Sequence, residues 1–217
     1  MLNLKAADDS LVDEIGYFQE LETLKFSNNM EDVYKFCIEP TFLKNLFDKI
    51  QYVNDIKQNN LQIMEAEIRK IHTNNFYMKI THNMDHMKNI LKAEGTRYLV
   101  ELVINSLSSI KGEDRKKFLP QITKFTTGDI NALSLASSLD DIKNIIRIDG
   151  NEDQILNKLL SKEIDEYLFS FNKFNDISTV YAYFKLKERE IQNILWILEC
   201  IRHEKKEYAG NIVKVNG

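Results

Sequence analysis

The chain has 217 residues, 43% of them hydrophobic and 29% charged, and a formal net charge of −4. That length and apolar content support a buried core and exclude a disordered chain, while the acidic balance argues against a phosphate backbone as the main partner. Two prolines and seven glycines are too few for the turns of a sandwich or barrel, so the expected fold class is all-α, with long helices and few loops.

The first ten residues, MLNLKAADDS, carry two acids and no long apolar stretch, so no signal peptide is expected there. The longest uninterrupted apolar run is Ile194 to Leu198. A membrane-spanning helix needs about 20 apolar residues, so any work at a membrane is expected to run through a partner. Cys37 and Cys200 lie far apart among apolar neighbours and read as small buried thiols.

A helix start is signalled at Ser27-Asn28-Asn29 followed by Met30-Glu31-Asp32-Val33. Small polar side chains accept the free amides of a first turn, and acids suit its positive end. Glu39-Pro40 ends that helix, and Thr41 caps the next, over residues 42–56. From Leu61 the apolar positions Leu61, Met64, Ile68, Ile71 and Met78 recur at helical spacing. A further helix is expected over residues 92–110, with Tyr98, Leu102 and Ile110 among its apolar positions and Lys111-Gly112 as its end. Gly95 lies inside it at a cost of about 1 kcal/mol.

Short helices follow, one starting after Thr127-Gly128-Asp129 and one after Ser137-Ser138 with Leu139, Asp140, Asp141 and Ile142. Asp149-Gly150-Asn151 breaks the chain before a long helix over 152–171, and the last long helix is expected over 177–206. The segment from Ser27 to Val33 is similar to that from Ala136 to Ile142, 109 positions on. Two homologous helical-bundle repeats are therefore expected, residues 1–110 and 111–206, each with short helices before long ones, followed by a flexible tail at 207–217.

Chemistry-bearing motifs are sparse. His82 and His86 are spaced i, i+4 beside Asp85, but no third ligand is near and no HExxH occurs, with only His72 more distant. No metal and no cofactor are expected. There is no glycine-rich phosphate loop, GxSxG or CxxC, and catalysis is not expected. The basic cluster Lys111, Arg115, Lys116 and Lys117 reads as a solvated face.

The informative stretch is the last helix. At about 100° per residue, Val180, Phe184, Ile191, Ile194, Leu195, Leu198 and Ile201 share one broad face, expected to be core. Lys185, Arg189, Gln192, Glu199 and His203 fall opposite, with Trp196 in their midst. Lys185, Glu188, Arg189, Gln192, Trp196 and Glu199 lie within one arc, a candidate partner-facing strip.

The run from Tyr183 through Phe184, Lys185, Leu186, Lys187, Glu188, Arg189, Glu190, Ile191 and Gln192 to Trp196 and Ile201 closely resembles the C-terminal signature of the vacuolar-type proton ATPase subunit d family, which has archaeal-type relatives. Gly16-Tyr17-Phe18-Gln19-Glu20 with Met30 to Tyr34, Glu67 to Tyr77, Lys111 to Pro120, and Asp140 to Asn144 resemble other family segments in order. The resemblance covers roughly residues 15–205 and begins at the family's second of three repeats, which together form a funnel. The tail, Glu207 to Gly217, departs from the family's apolar ending.

The resemblance implies a non-catalytic central-stalk subunit of the membrane (Vo) sector of a rotary proton pump, on the cytoplasmic face of vacuolar or other endomembranes. Its implied partners are the proteolipid c-ring, rotor shaft subunits D and F, and subunit a, with no nucleic acid and with membrane association only through partners. The alternative is a helical adaptor derived from this family but outside the pump.

Overall fold

The computed structural model describes residues 29, 32, 61–80, 84–110, 112–172, 177–205 and 208. The chain divides into two compact units, Met1–His72 and Thr73–Gly217. Seven helices are described: α1 (Leu61–Lys79), α2 (Asp85–Asn105), α3 (Gly112–Phe118), α4 (Thr127–Leu135), α5 (Leu139–Ile146), α6 (Glu152–Ser170) and α7 (Ser178–Arg202). No strand occurs among the described residues, and the fold class is all-α. No described helix is long and apolar enough to cross a membrane.

In the first unit, the Asn29 side chain accepts the backbone N–H of Asp32 at 2.8 Å, the bond expected of a helix N-cap. The same bond runs from Asp141 N–H to Ser138 Oγ at 3.2 Å, 109 positions later. On α1, Ala66 is fully buried and Met64, Ile68 and Ile71 are half-buried, whereas Met78, expected on the same face, is 82% exposed. The expected helix over 42–56, with Pro40, Thr41 and Cys37, lies outside the described residues.

The second unit is organised on α2 and α6, which pack along each other, with α7 laid against α6 and touching α2. Its core joins Ile90, Leu160, Ile164, Tyr167 and Ala182, bordered by Leu168, Phe171, Tyr181 and Leu186. Ile90, Leu160 and Ile164, so buried, each contribute about 1.5–3 kcal/mol.

The helix starts follow local chemistry. Thr126 caps α4 with Asp129, Ser138 caps α5 with Asp141, and Asn151 caps α6 with Gln154, each a reciprocal capping box. Both boundaries of the helix expected over 92–110 move, its start coming seven residues earlier. α2 begins at Asp85 and ends at Asn105, short of the expected end at 110, and Gly112 opens α3 instead of closing α2. Ser106 caps α2, its amide bonding Leu102 O at 3.0 Å.

Gly95 has a tertiary reason. A Cβ at this position would lie far inside van der Waals contact with the carbonyl oxygen of Ile122. The segment 121–126 crosses α2 here, and Thr96 Oγ1 accepts the Lys124 amide at 2.8 Å while donating to Lys92 O at 2.6 Å. Only glycine lets the two backbones approach so closely.

Arg115 corrects the reading of a solvated basic face: it is fully buried. Its Nη1 donates to Ser134 O and Ala136 O at 3.1 and 2.6 Å, and its Nη2 to Ser106 O and Ile110 O at 3.0 and 2.6 Å. One planar guanidinium thereby joins the turn that follows α2 to the end of α4. The neighbouring Lys117 is exposed and pairs with Asp114 at 2.7 Å.

Candidate interaction surface on the last helix

α7 is the helix whose sequence carries the family signature, and its placement is set at its N-terminal half. Ser178 and Ala182 are fully buried, and Cys200 is buried near the other end. Small side chains along this line allow close approach of the neighbouring helices. Thr179 Oγ1 donates to Ser170 O at 3.0 Å, tying the start of α7 to the end of α6. The Tyr181 ring packs against Phe76 with centroids 6.0 Å apart.

Beneath this contact is a polar network shared by three helices. Tyr181 Oη lies 3.0 Å from both carboxylate oxygens of Glu94 on α2. Tyr167 Oη on α6 lies 2.7 Å from Glu94 Oε1 and 2.9 Å from Glu163 Oε1. Arg97 Nε donates to Glu163 Oε2 at 2.7 Å, and its Nη1 to Glu101 at 3.1 Å.

Burial pushes the Glu94 carboxyl above the usual carboxylate range, Glu163 adding to the effect and the two tyrosines and Lys185 opposing it. Burial and then the Glu94 carboxylate raise both tyrosine hydroxyls. Burial works against the charge on Arg97, but Glu163 and Glu101 more than reverse it, leaving its pKa raised.

The orientation of α7 is the opposite of the sequence expectation. Val180, Phe184, Ile191, Ile194, Leu195, Leu198 and Ile201, expected to be core, are all exposed, Leu198 at 55%. The amphipathic pattern locates the apolar surface correctly but does not say which neighbour covers it. In the second unit, the seam against α6 and α2 is built instead from the small Ser178 and Ala182, the half-buried Tyr181 and Leu186, and hydrogen bonds. A 25-residue helix with an open apolar face is a candidate interaction surface, since monomers rarely leave contiguous patches of that kind uncovered.

The six residues of the polar strip lie beside this face. Lys185 is half-buried, bonds Glu188 at 3.0 Å and stands 5.8 Å from the Tyr181 ring centroid. Arg189 is half-buried; Glu188 and Gln192 are exposed. Glu199 is exposed and flanked by His203 at 3.2 Å and Arg202 at 3.7 Å. Trp196 is 46% exposed, and its indole N–H donates to Tyr208 O at 3.1 Å.

Glu94, Glu163 and Arg97 carry no local motif, and the sequence offered no means of singling them out. Their pairing spans 66 to 87 positions. His82 lies outside the described residues, and the His86 ring lies tilted against Phe169 with centroids 5.3 Å apart. No cluster of three metal-ligating side chains occurs among the described residues.

Comparison with known proteins places this helical architecture. The family model described as ATP synthase (C/AC39) subunit matches residues 2–211. The chain is similar to the V-type proton ATPase subunit d of Saccharomyces cerevisiae, 26% identical over 93% of this chain and 62% of that protein. It is similar to the subunit d of Dictyostelium discoideum, 25% identical over 93% of this chain and 61% of that protein. It is also similar to subunit d1 of Arabidopsis thaliana, 24% identical over 88% of this chain and 60% of that protein. The chain thus spans about three-fifths of the length of these relatives. With a match across nearly its whole length, the chain belongs to the ATP synthase (C/AC39) subunit family, among relatives that are V-type proton ATPase d subunits.

Proposed function

We propose that this chain is a non-catalytic subunit of the membrane sector of a vacuolar-type proton-transporting ATPase, positioned on the cytoplasmic face between the rotor shaft and the proteolipid ring. The observation that carries the reading is the family match over residues 2–211. Torque transmission asks for stiffness and interface, not for reacting groups. Close-packed helices resist deformation, which suits that role. The two-repeat organisation over 1–110 and 111–206 belongs to the same proposal, supported by the matching cap bonds at Asn29 and Ser138.

The partner-facing surface is proposed to lie on α7, where Lys185, Glu188, Arg189, Gln192, Trp196 and Glu199 border the exposed apolar face. The implied partners are the c-ring, shaft subunits D and F, and subunit a. The test is affinity capture of the tagged full chain from membranes of its own cells. Co-recovery of the proteolipid ring and subunit a in stoichiometric amounts supports the reading. Recovery with proteins unrelated to the pump favours a helical adaptor and overturns it.

A further inference from the structure

In the second unit one hydroxyl stands between two carboxyl groups. Tyr167 Oη is 2.7 Å from Glu94 Oε1 and 2.9 Å from Glu163 Oε1. A phenol has one proton to donate, so it satisfies only one of these contacts as donor. If both carboxyls were ionised, the other contact would set lone pairs against each other at hydrogen-bond distance in a buried site, which is costly. One further proton resolves the geometry.

The neighbours decide where that proton sits. Glu163 has a cation beside it, Arg97, whose Nε donates to Oε2 at 2.7 Å. Among the described residues no cation bonds Glu94. Lys185 on α7 acts on it only from a distance, its Nζ being bonded to Glu188 Oε2 at 3.0 Å. With a proton on Glu94 Oε1, every bond has a donor and an acceptor. Oε1–H donates to Tyr167 Oη, Tyr167 donates to Glu163 Oε1, and Tyr181 donates to Glu94 Oε2, 3.0 Å away.

We propose that Glu94 is a neutral carboxylic acid in the folded protein, and that its proton makes the junction of α2, α6 and α7 a pH-sensitive latch holding the start of α7. The groups facing Glu94 are Tyr167 and Glu163 from α6 and Tyr181 and Lys185 from α7, with Arg97 on its own helix paired to Glu163.

Burial raises the Glu94 pKa above its unfolded value. A raised pKa contributes stability that is fully present below the unfolded pKa, about 4.3, and is lost as pH rises through the folded pKa. Alkalinisation therefore loosens α7, and acidification secures it.

The test uses the full chain and Glu94→Gln. The amide donates to Tyr167 Oη and accepts from Tyr181, so it reproduces each bond without a titrating proton. The expected infrared spectrum of the wild type near neutral pH contains a protonated-carboxyl C=O band that is absent from Glu94→Gln. Hydrogen exchange of the amides of residues 178–186, corrected for intrinsic rate, should accelerate with rising pH in the wild type and stay flat in the variant. Equal pH dependence in the two proteins overturns the proposal. Should Glu94→Gln fail to fold, carboxyl-carbon NMR of the wild type decides alone. A Glu94 resonance at its protonated position through neutral pH supports the latch, and one already ionised at about pH 6 overturns it.

Discussion

Arg115 Nη1 donates to the carbonyl of Ala136 at 2.6 Å, joining α3 to the residue that ends α4. The same guanidinium bonds Ser106 O at the end of α2, so one side chain joins two helix termini. Arg115→Ala takes this donor from the carbonyls of Ser134, Ala136 and Ile110, while Ser106 O keeps the Ile110 amide at 3.0 Å. It should destabilise the second unit by about 3 kcal/mol or more, since each buried unsatisfied group costs about 1–3 kcal/mol. Arg115→Lys should recover only part, because an ammonium cannot span four acceptors in a planar fork. Urea denaturation of the two variants measures this, and equal stability of wild type and Arg115→Lys would contradict it.

Gly95 is held to glycine by the backbone of Ile122. Gly95→Ala raises helix propensity by about 1 kcal/mol, so an isolated α2 peptide should become more helical. The folded chain should instead lose stability by about 1–3 kcal/mol, the usual cost of forcing an atom into a packed site. Circular dichroism of the peptide and thermal melts of the protein should therefore move in opposite directions.

Leu198 and Ile194 test the orientation of α7. A fully buried leucine cut to alanine costs about 2–5 kcal/mol. Leu198 is 55% exposed, so Leu198→Ala should cost under about 1 kcal/mol. Ile194→Ser with Leu198→Ser should leave the melting temperature nearly unchanged, reduce self-association at high concentration and impair incorporation into the assembled complex. A large loss of stability in the double variant would show the face to be core.

Trp196 is the single tryptophan of the chain, so its fluorescence reports on one place only. Trp196→Phe removes the bond to Tyr208 O and should cost about 0.5–1.5 kcal/mol at most. Emission should be that of a partly wet indole in the isolated chain and shift to shorter wavelength on assembly. Arg189→Ala and Glu199→Ala, on the same strip, should change stability by about 0–1 kcal/mol. Under the proposed function they should instead lower proton pumping relative to ATP hydrolysis.

The acid limb of stability should depend on the helix caps. The Thr126 hydroxyl and amide hold the Asp129 carboxyl below its usual range. The Ser137 amide, then the hydroxyls of Ser138 and Ser137, do the same for Asp141. A depressed folded pKa contributes stability that is present above the unfolded value, about 3.9, and is lost as pH falls through the folded one. Asp129→Asn with Asp141→Asn keeps an acceptor at each cap and should flatten the melting temperature below about pH 4. An unchanged acid slope would show that other groups govern acid unfolding.

What the amino-acid order determined by itself is local. The starts of α5 and α6 were legible because Ser138 and Asn151 and their partners lie three residues apart, and such bonds form wherever the chain turns helical; α4, expected after Asp129, opens at Thr127 behind the cap Thr126. The signature on α7 was legible because it is contiguous. Which face of α7 is buried was decided only by tertiary structure. Periodicity separates an apolar from a polar face, but the neighbour that covers either one comes from elsewhere in the chain. Arg115, Gly95 and Glu94 were unreadable for the same reason. A basic residue in a cluster, a glycine in a helix and an acid on a helix take their meaning from Ala136, Ile122 and Tyr181, which folding brings to them from 21 to 87 positions away.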